Sequence, residues 1–321
     1  MTFQSIKDIP PLGFGLWKVS NGDCADIVYS AIKAGYRHFD AACDYGNEAE
    51  VGQGLKRAIE EGLCTRDDLW ITSKLWNTYH HPDHVPLALE KTLNDLQLDY
   101  LDLYLIHFPI ALQYVPIESR YPPEWIFDPA SFEPKMVPAK ISLQGTWRAM
   151  EALKSTSTVR HIGICNYSSG LLHDLMNYAI EPPEMLQIES HPFLTQERLI
   201  RLARQYGLEV TAFSPLGALS YFELDMADQH ESLLDSPVIK RIAERLSHTP
   251  AQVILKWGIQ RGTTLVTKSS SPERMQENLR LDFELLDQDM TNISALNINR
   301  RFNDPGDFCE GAFGTFHPIY D

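Results

Sequence analysis

Four side chains of this sequence are of the types that transfer protons, and each lies at or shortly after the end of an apolar run. Asp40, Lys74 and His107 each end such a run, and Tyr45 follows five residues after Asp40. If the runs are neighbouring parallel strands, their carboxyl ends meet at one rim and the four side chains converge there. An ammonium can stabilise a phenolate, and a carboxylate can hold the ammonium in place. Such a set suits proton donation during the reduction of a carbonyl.

The phenol of Tyr45 is the expected proton donor of this set. Its ordinary pKa is about 10, so it holds its proton at neutral pH and can give it to a developing alkoxide. The Lys74 ammonium would lower that pKa, and Asp40 would pair with the lysine. His107 would offer a hydrogen bond beside the carbonyl oxygen or relay the proton in the reverse direction. Each residue alone has an ordinary structural explanation, whereas the combination favours a catalytic one.

Short apolar, β-branched runs alternate with amphipathic segments along the chain, which is the pattern of parallel strands joined by crossover helices. Eight such units predict a closed (β/α)8 TIM barrel. The chain has 321 residues, a length that α/β barrels reach, so we predict a single barrel domain over 1–321. The predicted strands are 12–17, 37–42, 69–75, 100–107, 161–166, 185–190, 209–214 and 264–268.

The segments between these strands have apolar residues three and four positions apart, as outer helices of a barrel do. Gly35, Gly62 and Gly207 each follow one of these segments, where a chain often leaves a helix through a left-handed conformation. The predicted helices are 23–34, 47–61, 84–96, 143–154, 170–179, 196–206, 236–246 and 250–261.

Three stretches interrupt the regular spacing: 109–141, 215–235 and the tail 297–321. In an α/β barrel, long loops after the strands form the binding face. The first stretch and the tail are rich in aromatic residues with scattered polar groups, a composition that suits a lid over a small, partly apolar ligand. We therefore predict long loops at the carboxyl-terminal face and a C-terminal tail over the active site. The same aromatic residues could instead only attach the loops to the barrel.

The composition excludes several classes of protein. A net charge of −15 argues against nucleic acid and anionic membranes as partners. Five cysteines without a CxxC pair, and no basic, apolar leader, argue against secretion, a disulfide framework and a zinc or other metal site. No apolar run is long enough for a membrane helix. We expect a soluble, cytoplasmic protein that is a monomer or homodimer.

The motifs around these residues resemble those of the aldo-keto reductases over nearly the whole chain. Members of that family are (β/α)8 barrels that reduce carbonyls with a nicotinamide cofactor. The resemblance implies that Asp40, Tyr45, Lys74 and His107 form the family's catalytic tetrad, with Tyr45 as general acid. The matching segments are 13–17 (GFGLW), 39–48 (FDAACDYGNE), 73–77 (SKLWN) and 105–109 (LIHFP).

The same resemblance implies a nicotinamide site. In the family, a Ser-Asn pair and a Gln bind the carboxamide, and an aromatic ring stacks on the nicotinamide. Asn166, Gln187 and Phe213 fill three of these places, while Cys165 replaces the usual serine and donates a weaker hydrogen bond. The segment from Ser214 through Leu216 to Gly217 resembles the pyrophosphate loop.

The segment 267–278 resembles the family's adenosine site. Lys268 and Arg274 would neutralise a 2′-phosphate at the start of a helix, and Ser269 would also bind the cofactor there. Glu277 and Asn278 would contact the adenine. The resemblance therefore implies a preference for NADP(H), with NAD(H) possible. Without it, a Lys and an Arg six residues apart are a common surface pattern.

Within the family the likeness is greatest to xylose reductases and aldose-phosphate reductases. It implies that Asn303 and Asp304 bind sugar hydroxyls, that Trp17 and Trp76 form apolar walls, and that Asp44 adds a contact; His107 also faces the substrate. The substrate is then an aldose such as D-xylose, reduced to its alditol.

A phosphorylated aldose would need a basic cluster at the mouth of the site. Gly46 and Gln113 there are neutral, which favours a free aldose, although Arg120, Arg300 or Arg301 could still bind a phosphate. An aldose-6-phosphate reductase therefore stays an alternative.

Two other functions remain open at this point. A lysine Schiff base on Lys74 or Lys268 would make the barrel an aldolase. Alternatively, the barrel could bind a nicotinamide without catalysing a reaction. The chain also departs from the family at its start, since only about eleven residues precede Leu12 and the hairpin that closes the bottom of the barrel is shortened.

Overall fold

The computed structural model describes residues 3–320 and has a closed barrel of eight parallel strands in sequential order. The predicted (β/α)8 architecture is confirmed, and each predicted strand is found within two residues of its expected ends. The strands are β1 (Leu12–Gly15), β2 (His38–Asp40), β3 (Trp70–Leu75), β4 (Leu101–Ile106), β5 (Val159–Cys165), β6 (Met185–Glu189), β7 (Glu209–Phe213) and β8 (Thr264–Thr267). Closure comes from β1 pairing with both β2 and β8.

Helices surround the barrel because one apolar face of each is buried against the strands. In the first helix the buried residues are Cys24, Val28, Ala31 and Ile32. Their spacings of four, three and one residues place them on one face of the helix. All eight predicted helices are present, again within two residues of the expected ends. The helices are α1 (Asn21–Ala34), α2 (Glu48–Glu60), α3 (Val85–Leu96), α4 (Leu143–Leu153), α5 (Ser169–Tyr178), α6 (Glu197–Gln205), α7 (Pro237–Leu246), α8 (Pro250–Gln260), α9 (Pro272–Leu279), α10 (Asp287–Ser294) and α11 (Pro305–Phe313).

The sequence pattern did not delimit the last three of these helices. α9 was expected only as a helix start near Arg274, and α10 and α11 were not predicted. Each has eight or nine residues, too few for a clear apolar period. The pair Asp304-Pro305 is a helix-start signal, because Asp304 caps α11 and proline occupies its first turn.

The three predicted glycine exits are confirmed. Gly35, Gly62 and Gly207 have φ values of 119°, 74° and 83°, in the left-handed region that a residue with a Cβ adopts at a cost. Each lies between a helix and the next strand, so the chain turns back towards the barrel there.

The floor of the barrel is closed by a short turn instead of a hairpin. The turn Ile6–Asp8 places Ile6 and Ile9 under the barrel, and Phe3 packs edge to face on Trp70 with ring centroids 5.7 Å apart. The amino-terminal segment is thus short but still covers the apolar bottom of the barrel. The other residues of this cluster are Leu103, Leu105, Cys165 and Met185.

The loop 109–141 and the described part of the tail pack against each other over the barrel. The Trp125 ring contacts Phe308 at a centroid distance of 5.3 Å and lies stacked 6.2 Å from Phe313. The expectation that aromatic residues hold the tail over the carboxyl-terminal face agrees with these contacts. Between them, 215–235 forms a series of short 3-10 turns.

Two further features concern the whole described chain. Within residues 3–320, every helix is too short or too polar to span a lipid bilayer. Over the same range, the side chains of His, Cys, Asp and Glu form no group of three or more that could hold a metal ion. The five cysteines are buried free thiols.

Candidate active site

The structure brings Asp40, Lys74 and Tyr45 together at the carboxyl-terminal rim. Asp40 ends β2, Lys74 is the next-to-last residue of β3, and Tyr45 lies on a short 3-10 turn after β2. The Lys74 ammonium donates to Asp40 Oδ1 at 2.5 Å, to the carbonyl oxygen of Ala41 at 2.8 Å and to the Tyr45 hydroxyl at 3.1 Å. All three donors of the ammonium therefore have defined acceptors, and the lysine is fixed in place.

The pKa of Tyr45 differs from the expectation that Lys74 would lower it. Burial raises the pKa of Tyr45 above its usual value, and the Lys74 charge, which lowers it, offsets only part of that effect. Burial has the largest effect on Lys74 and lowers its pKa, but Asp40, Tyr45 and Cys165 together raise the pKa of the lysine above its usual value. The site thus contains a protonated phenol beside a charged ammonium.

His107 completes the group directly after β4. Its ring centroid is 5.8 Å from that of Tyr45 and 5.3 Å from that of Trp76, edge to face in both cases. Burial, and then the Lys74 charge, hold the pKa of His107 well below its usual value, so the imidazole is neutral. Its Nδ1 is buried and has no partner within residues 3–320. A neutral imidazole has one N–H to donate to a carbonyl oxygen.

Gln187 on β6 contacts the tetrad itself, which the sequence did not indicate. Its Nε2 donates to Asp40 Oδ2 at 2.7 Å, so both oxygens of Asp40 have partners. The Cys165 thiol lies 3.8 Å from Gln187 Oε1, within the range of a weak sulfur hydrogen bond. Gln187 therefore supports Asp40 from β6, across the barrel from β2, and Cys165 on β5 contacts Gln187.

Asn166 follows β5 with a left-handed backbone, φ 62°. Its amide donates to the carbonyl oxygen of His107 at 2.9 Å, and its Oδ1 accepts from the Tyr320 hydroxyl at 3.1 Å. The Tyr320 ring in turn lies 3.5 Å from the Arg301 guanidinium. The C-terminal tyrosine thus reaches the residue that the sequence assigned to the nicotinamide carboxamide.

The predicted stacking residue and the pyrophosphate loop lie at the end of β7. Phe213 is partly exposed at the rim, and Ser214 follows with a φ of 49°. Ser214 Oγ is 2.8 Å from the Tyr221 hydroxyl, and its carbonyl oxygen accepts from Gly217 N at 2.8 Å around the partly buried Leu216. This tight turn follows directly after the partly exposed Phe213.

A basic rim is found at the predicted adenosine site. Lys268 follows β8 and is exposed, as is Arg274 in the first turn of α9. Partial desolvation of the Lys268 ammonium, then the neighbouring Lys18, lower the pKa of Lys268. Within the described chain the Arg274 side chain makes no hydrogen bond or ion pair, so its guanidinium is available to an anion. Ser269 Oγ accepts from Ser271 N at 3.1 Å. These residues fit a phosphorylated dinucleotide.

The two predicted adenine contacts are only partly accessible. Glu277 is half-buried and accepts from the Thr249 hydroxyl at 3.0 Å, and Asn278 is buried beside Tyr36.

Lys18 lies beside the basic rim. It donates to the carbonyl oxygen of Ser220 at 2.8 Å and pairs with Glu223 at 3.1 Å. These contacts attach the loop 215–235, which follows β7, to the segment after β1.

The predicted substrate walls differ in exposure. Trp17 is partly exposed and lies 5.8 Å from the Tyr221 ring. Trp76 is fully buried, because Trp125 covers it at a centroid distance of 4.8 Å. Trp76 therefore contacts both His107 and Trp125, and of the two tryptophans only Trp125 is partly exposed. The sequence named Trp125 only as a lid aromatic.

Asp44 and Asn303 have unmet acceptors close to the tetrad. Burial, and then Glu124, raise the pKa of Asp44 to about 8. Asp44 Oδ1 and Asn303 Oδ1 are buried without a partner among the described residues. Asp304, by contrast, accepts from Gly306 N at 2.8 Å as the cap of α11, so one of its oxygens has a structural partner. Unmet acceptors suit a ligand rich in hydroxyl donors.

Sequence reasoning missed two buried carboxylates near these residues. Glu189 ends β6 and accepts from the backbone of Asn303, while Glu48 in α2 accepts from Ser73 Oγ beside Lys74. Burial raises the pKa of Glu48 to about 7. Glu189 lies two residues after Gln187, on the same side of the strand, and Glu48 follows the Tyr45 motif directly. These positions next to predicted site residues were the sequence signals that could have identified both carboxylates.

Comparison with known proteins agrees with this fold and this site. Residues 11–298 match the profile described as the aldo/keto reductase family. The chain belongs to the aldo/keto reductase family. Among solved structures, an aldose reductase from Schistosoma japonicum is similar, with a TM-score of 0.83, 33% identity, and coverage of 96% of this chain and 94% of that one.

Two curated relatives are more similar in sequence. A probable NAD(P)H-dependent D-xylose reductase of Neosartorya fischeri is 51% identical over 95% of this chain and 96% of its own length. An NADPH-dependent D-xylose reductase of Meyerozyma guilliermondii is 45% identical over 96% of this chain and 97% of its own length.

Proposed function

We propose that this protein reduces a free aldose such as D-xylose to the corresponding alditol, with NADPH preferred as the reductant and NADH usable. The main support is the contact between Lys74 and the Tyr45 hydroxyl at 3.1 Å, with Asp40 behind the lysine. This contact supports a role of Tyr45 as proton donor, because a positive charge lies next to its hydroxyl. The names and high identity of the xylose reductase relatives support the substrate class.

Tyr45 acts as the general acid in this proposal. As hydride reaches the carbonyl carbon, negative charge develops on the oxygen, and the phenol transfers its proton to that oxygen. The Lys74 ammonium, 3.1 Å away, stabilises the phenolate that is left. Neutral His107 donates a hydrogen bond to the same oxygen and orients the aldehyde. Asp40 keeps the ammonium in position from below.

The nicotinamide dinucleotide, when bound, would supply the hydride. Asn166 and Gln187 would hold its carboxamide and Phe213 its ring, and Ser214 and Leu216 would follow its pyrophosphate. Lys268 and Arg274 would neutralise a 2′-phosphate, which supports the preference for NADPH because Arg274 has no partner within residues 3–320. NADH lacks that phosphate but offers the same ring.

The arginines at the mouth favour a free sugar over a sugar phosphate. Arg120 donates to the backbone oxygens of Pro123 and Ile126, and Arg300 pairs with Glu231 at 2.6 Å. Of the three candidates for a phosphate, Arg120 and Arg301 each have one buried nitrogen without a partner in the described chain, Arg120 Nε and Arg301 Nη1. One unmet nitrogen on each of two guanidinium groups is a weak phosphate site compared with a basic cluster.

A Schiff-base mechanism is disfavoured by the charge of the buried lysine. A nucleophilic lysine must be neutral, whereas Asp40 raises the pKa of Lys74 above its usual value despite burial. Lys74 is also 1% exposed and makes three hydrogen bonds. Reduction with a charged, stationary lysine is the reaction that this geometry supports.

A panel of substrates tests the proposal. NADPH or NADH oxidation is followed with xylose, other free aldoses, their terminal phosphates and a simple aldehyde. We expect kcat/KM to be higher for free aldoses than for their phosphates, and higher with NADPH. Faster turnover of the phosphates would favour the aldose-phosphate alternative. Tight NADPH binding with no reduction of any aldehyde would leave the non-catalytic alternative.

A further inference from the structure

A buried carboxylate without a lysine or arginine partner holds the tail at the edge of the active site. Glu189 is 0% exposed, and no Lys or Arg pairs with it among the described residues. Its Oε1 accepts from Phe302 N at 2.9 Å and lies 2.8 Å from His191 Nε2. Its Oε2 accepts from Asn303 N at 2.8 Å. Burying a carboxylate is unfavourable unless such hydrogen bonds replace its hydration, so these N–H groups are strongly bound.

The two backbone N–H groups belong to consecutive residues, and each binds a different oxygen of Glu189. The carboxylate therefore determines both the position and the direction of the backbone at this point of the tail. The Phe302 ring is held on both sides, 5.3 Å from the His191 ring and 5.6 Å from the Tyr221 ring. The bend of the tail is thus defined by residues of β6 and of the loop 215–235.

Asn303 is the residue whose position this bend determines. Its side-chain Oδ1 is buried and has no partner within residues 3–320. Its amide contacts Tyr221, whose hydroxyl lies 2.8 Å from Ser214 Oγ. Upstream, Arg300 attaches the tail through its backbone N–H, which donates to the carbonyl oxygen of Phe193 at 3.0 Å, and through its side chain, which pairs with Glu231 at 2.6 Å. The position of Asn303 Oδ1 therefore depends on the hydrogen bond between Asn303 N and Glu189.

We propose that Glu189 is a positioning residue for sugar recognition: through the backbone of Asn303 it sets the affinity for the hydroxyl groups of the substrate, and it takes no part in proton or hydride transfer. The inference depends on the proposed function, since it assumes that Asn303 accepts from a sugar hydroxyl. It predicts that substitution of Glu189 weakens the binding of aldehydes that carry hydroxyl groups and leaves the binding of aldehydes without them unchanged.

Glu189→Gln tests this directly. The amide keeps the volume but has one acceptor oxygen for two N–H groups, so one tail N–H faces an NH2 group. We expect the KM for xylose to rise about 10- to 100-fold, as for the loss of a charged hydrogen bond. The kcat for xylose, the kcat/KM for butanal and the dissociation constant of NADPH should change less than about three-fold, because the tetrad is untouched.

A double-variant cycle separates positioning from a general effect on folding. Asn303→Ala should raise the xylose KM to a similar extent, and adding Glu189→Gln to it should cause little further loss, because both act through one contact. Glu184→Gln is the matched control, since Glu184 also bonds a histidine, His161 at 2.7 Å, but lies at the other end of β6. It should leave the xylose KM unchanged.

Glu189→Asp provides the second variant if the glutamine variant does not fold. It keeps the charge but withdraws both oxygens from the tail, so a selective rise in xylose KM is again expected. Equal losses for xylose and butanal, or additive losses in the cycle, would overturn the inference. If Asn303→Ala leaves the xylose KM unchanged in an otherwise active xylose reductase, the inference fails while the proposed function stands. If the unmodified protein does not reduce xylose, the proposed function itself fails.

Discussion

The ammonium nitrogen of Lys74 lies 3.1 Å from the Tyr45 hydroxyl oxygen, and the same nitrogen contacts Asp40 Oδ1 at 2.5 Å. The lysine therefore connects a buried negative charge with the proposed proton donor. Because each ammonium N–H has an acceptor, the lysine cannot rotate towards a substrate without breaking several hydrogen bonds. Its function in this arrangement is electrostatic, and its removal should affect both activity and stability.

Lys74→Met should abolish activity and destabilise the fold. The substitution leaves the Asp40 carboxylate buried with Gln187 as its remaining side-chain donor, and a broken buried ion pair costs about 3–5 kcal/mol of unfolding free energy. The double variant Asp40→Asn/Lys74→Met should recover part of that stability without recovering activity, as measured by urea unfolding. Lys91→Met, which removes the half-exposed pair with Asp95, should cost less than about 1 kcal/mol. A fully stable Lys74→Met variant would contradict this account.

The raised pKa of Glu48 should make the free energy of unfolding fall as the pH rises. It is 3% exposed, and burial raises its pKa to about 7 from 4.5, although hydrogen bonds from Ser73 and Thr92 lower it. The folded protein then binds this proton more tightly than the unfolded chain. The resulting stabilisation is present at low pH and is lost between about pH 4.5 and 7.

The comparison of the wild type with Glu48→Gln measures this effect. Between pH 5 and 8 the wild type should lose about 1–3 kcal/mol more unfolding free energy than the variant, whose amide does not titrate. Glu60→Gln, on the exposed side of the same helix, should behave as the wild type does. Identical pH slopes for the wild type and Glu48→Gln would show that Glu48 is already ionised at pH 5.

Arg274→Ala should weaken NADPH binding much more than NADH binding. The substitution removes the free guanidinium opposite the proposed 2′-phosphate, and loss of a charged hydrogen bond corresponds to about a 10- to 100-fold rise in the NADPH dissociation constant. NADH affinity should stay within about two-fold. Arg280→Ala, at the opposite end of α9, is the matched control. Equal weakening of both cofactors would exclude a phosphate contact by Arg274.

Tyr320→Phe should tighten cofactor binding. The hydroxyl of Tyr320 donates to Asn166 Oδ1 at 3.1 Å, the atom proposed to bind the carboxamide, whereas a phenyl ring can keep its place over Arg301. Loss of one competing hydrogen bond should lower the NADPH dissociation constant about two- to ten-fold, as measured by fluorescence titration. Tyr206→Phe, whose exposed hydroxyl bonds His173, should have no effect. Weaker binding by Tyr320→Phe would show that the hydroxyl supports the cofactor site.

Most of the barrel could be predicted from the sequence, because its strands and helices differ in apolar period and because glycines mark the exits from several helices. Convergence at the rim followed from one assumption, that Asp40 and Lys74 lie at the same ends of neighbouring parallel strands. The pairing of Asp40 with Thr72 across β2 and β3 places them there. The short helices α10 and α11 were missed, since their apolar faces are too brief to show a period.

Contacts between distant parts of the chain could not be predicted. Gln187 binds Asp40 across 147 positions, and Glu189 binds Asn303 across 114, and neither pair leaves a local pattern. Burial by a loop is equally invisible in the sequence, so Trp76 was expected to form an apolar wall against the substrate, although Trp125 covers it. The net pKa of Tyr45 was also uncertain, because the balance between burial and the Lys74 charge depends on the complete fold.

Single-turnover reduction of xylose by Tyr45→Phe, with NADPH at saturation, is the most direct test of proton donation by Tyr45. We expect the rate of NADPH oxidation to fall about 10²- to 10⁴-fold, the usual contribution of a general acid, with the NADPH dissociation constant nearly unchanged. Tyr29→Phe, which removes a surface hydroxyl bonded to Glu61, should react as the wild type does. A Tyr45→Phe variant that reduces xylose at the wild-type rate would contradict the account.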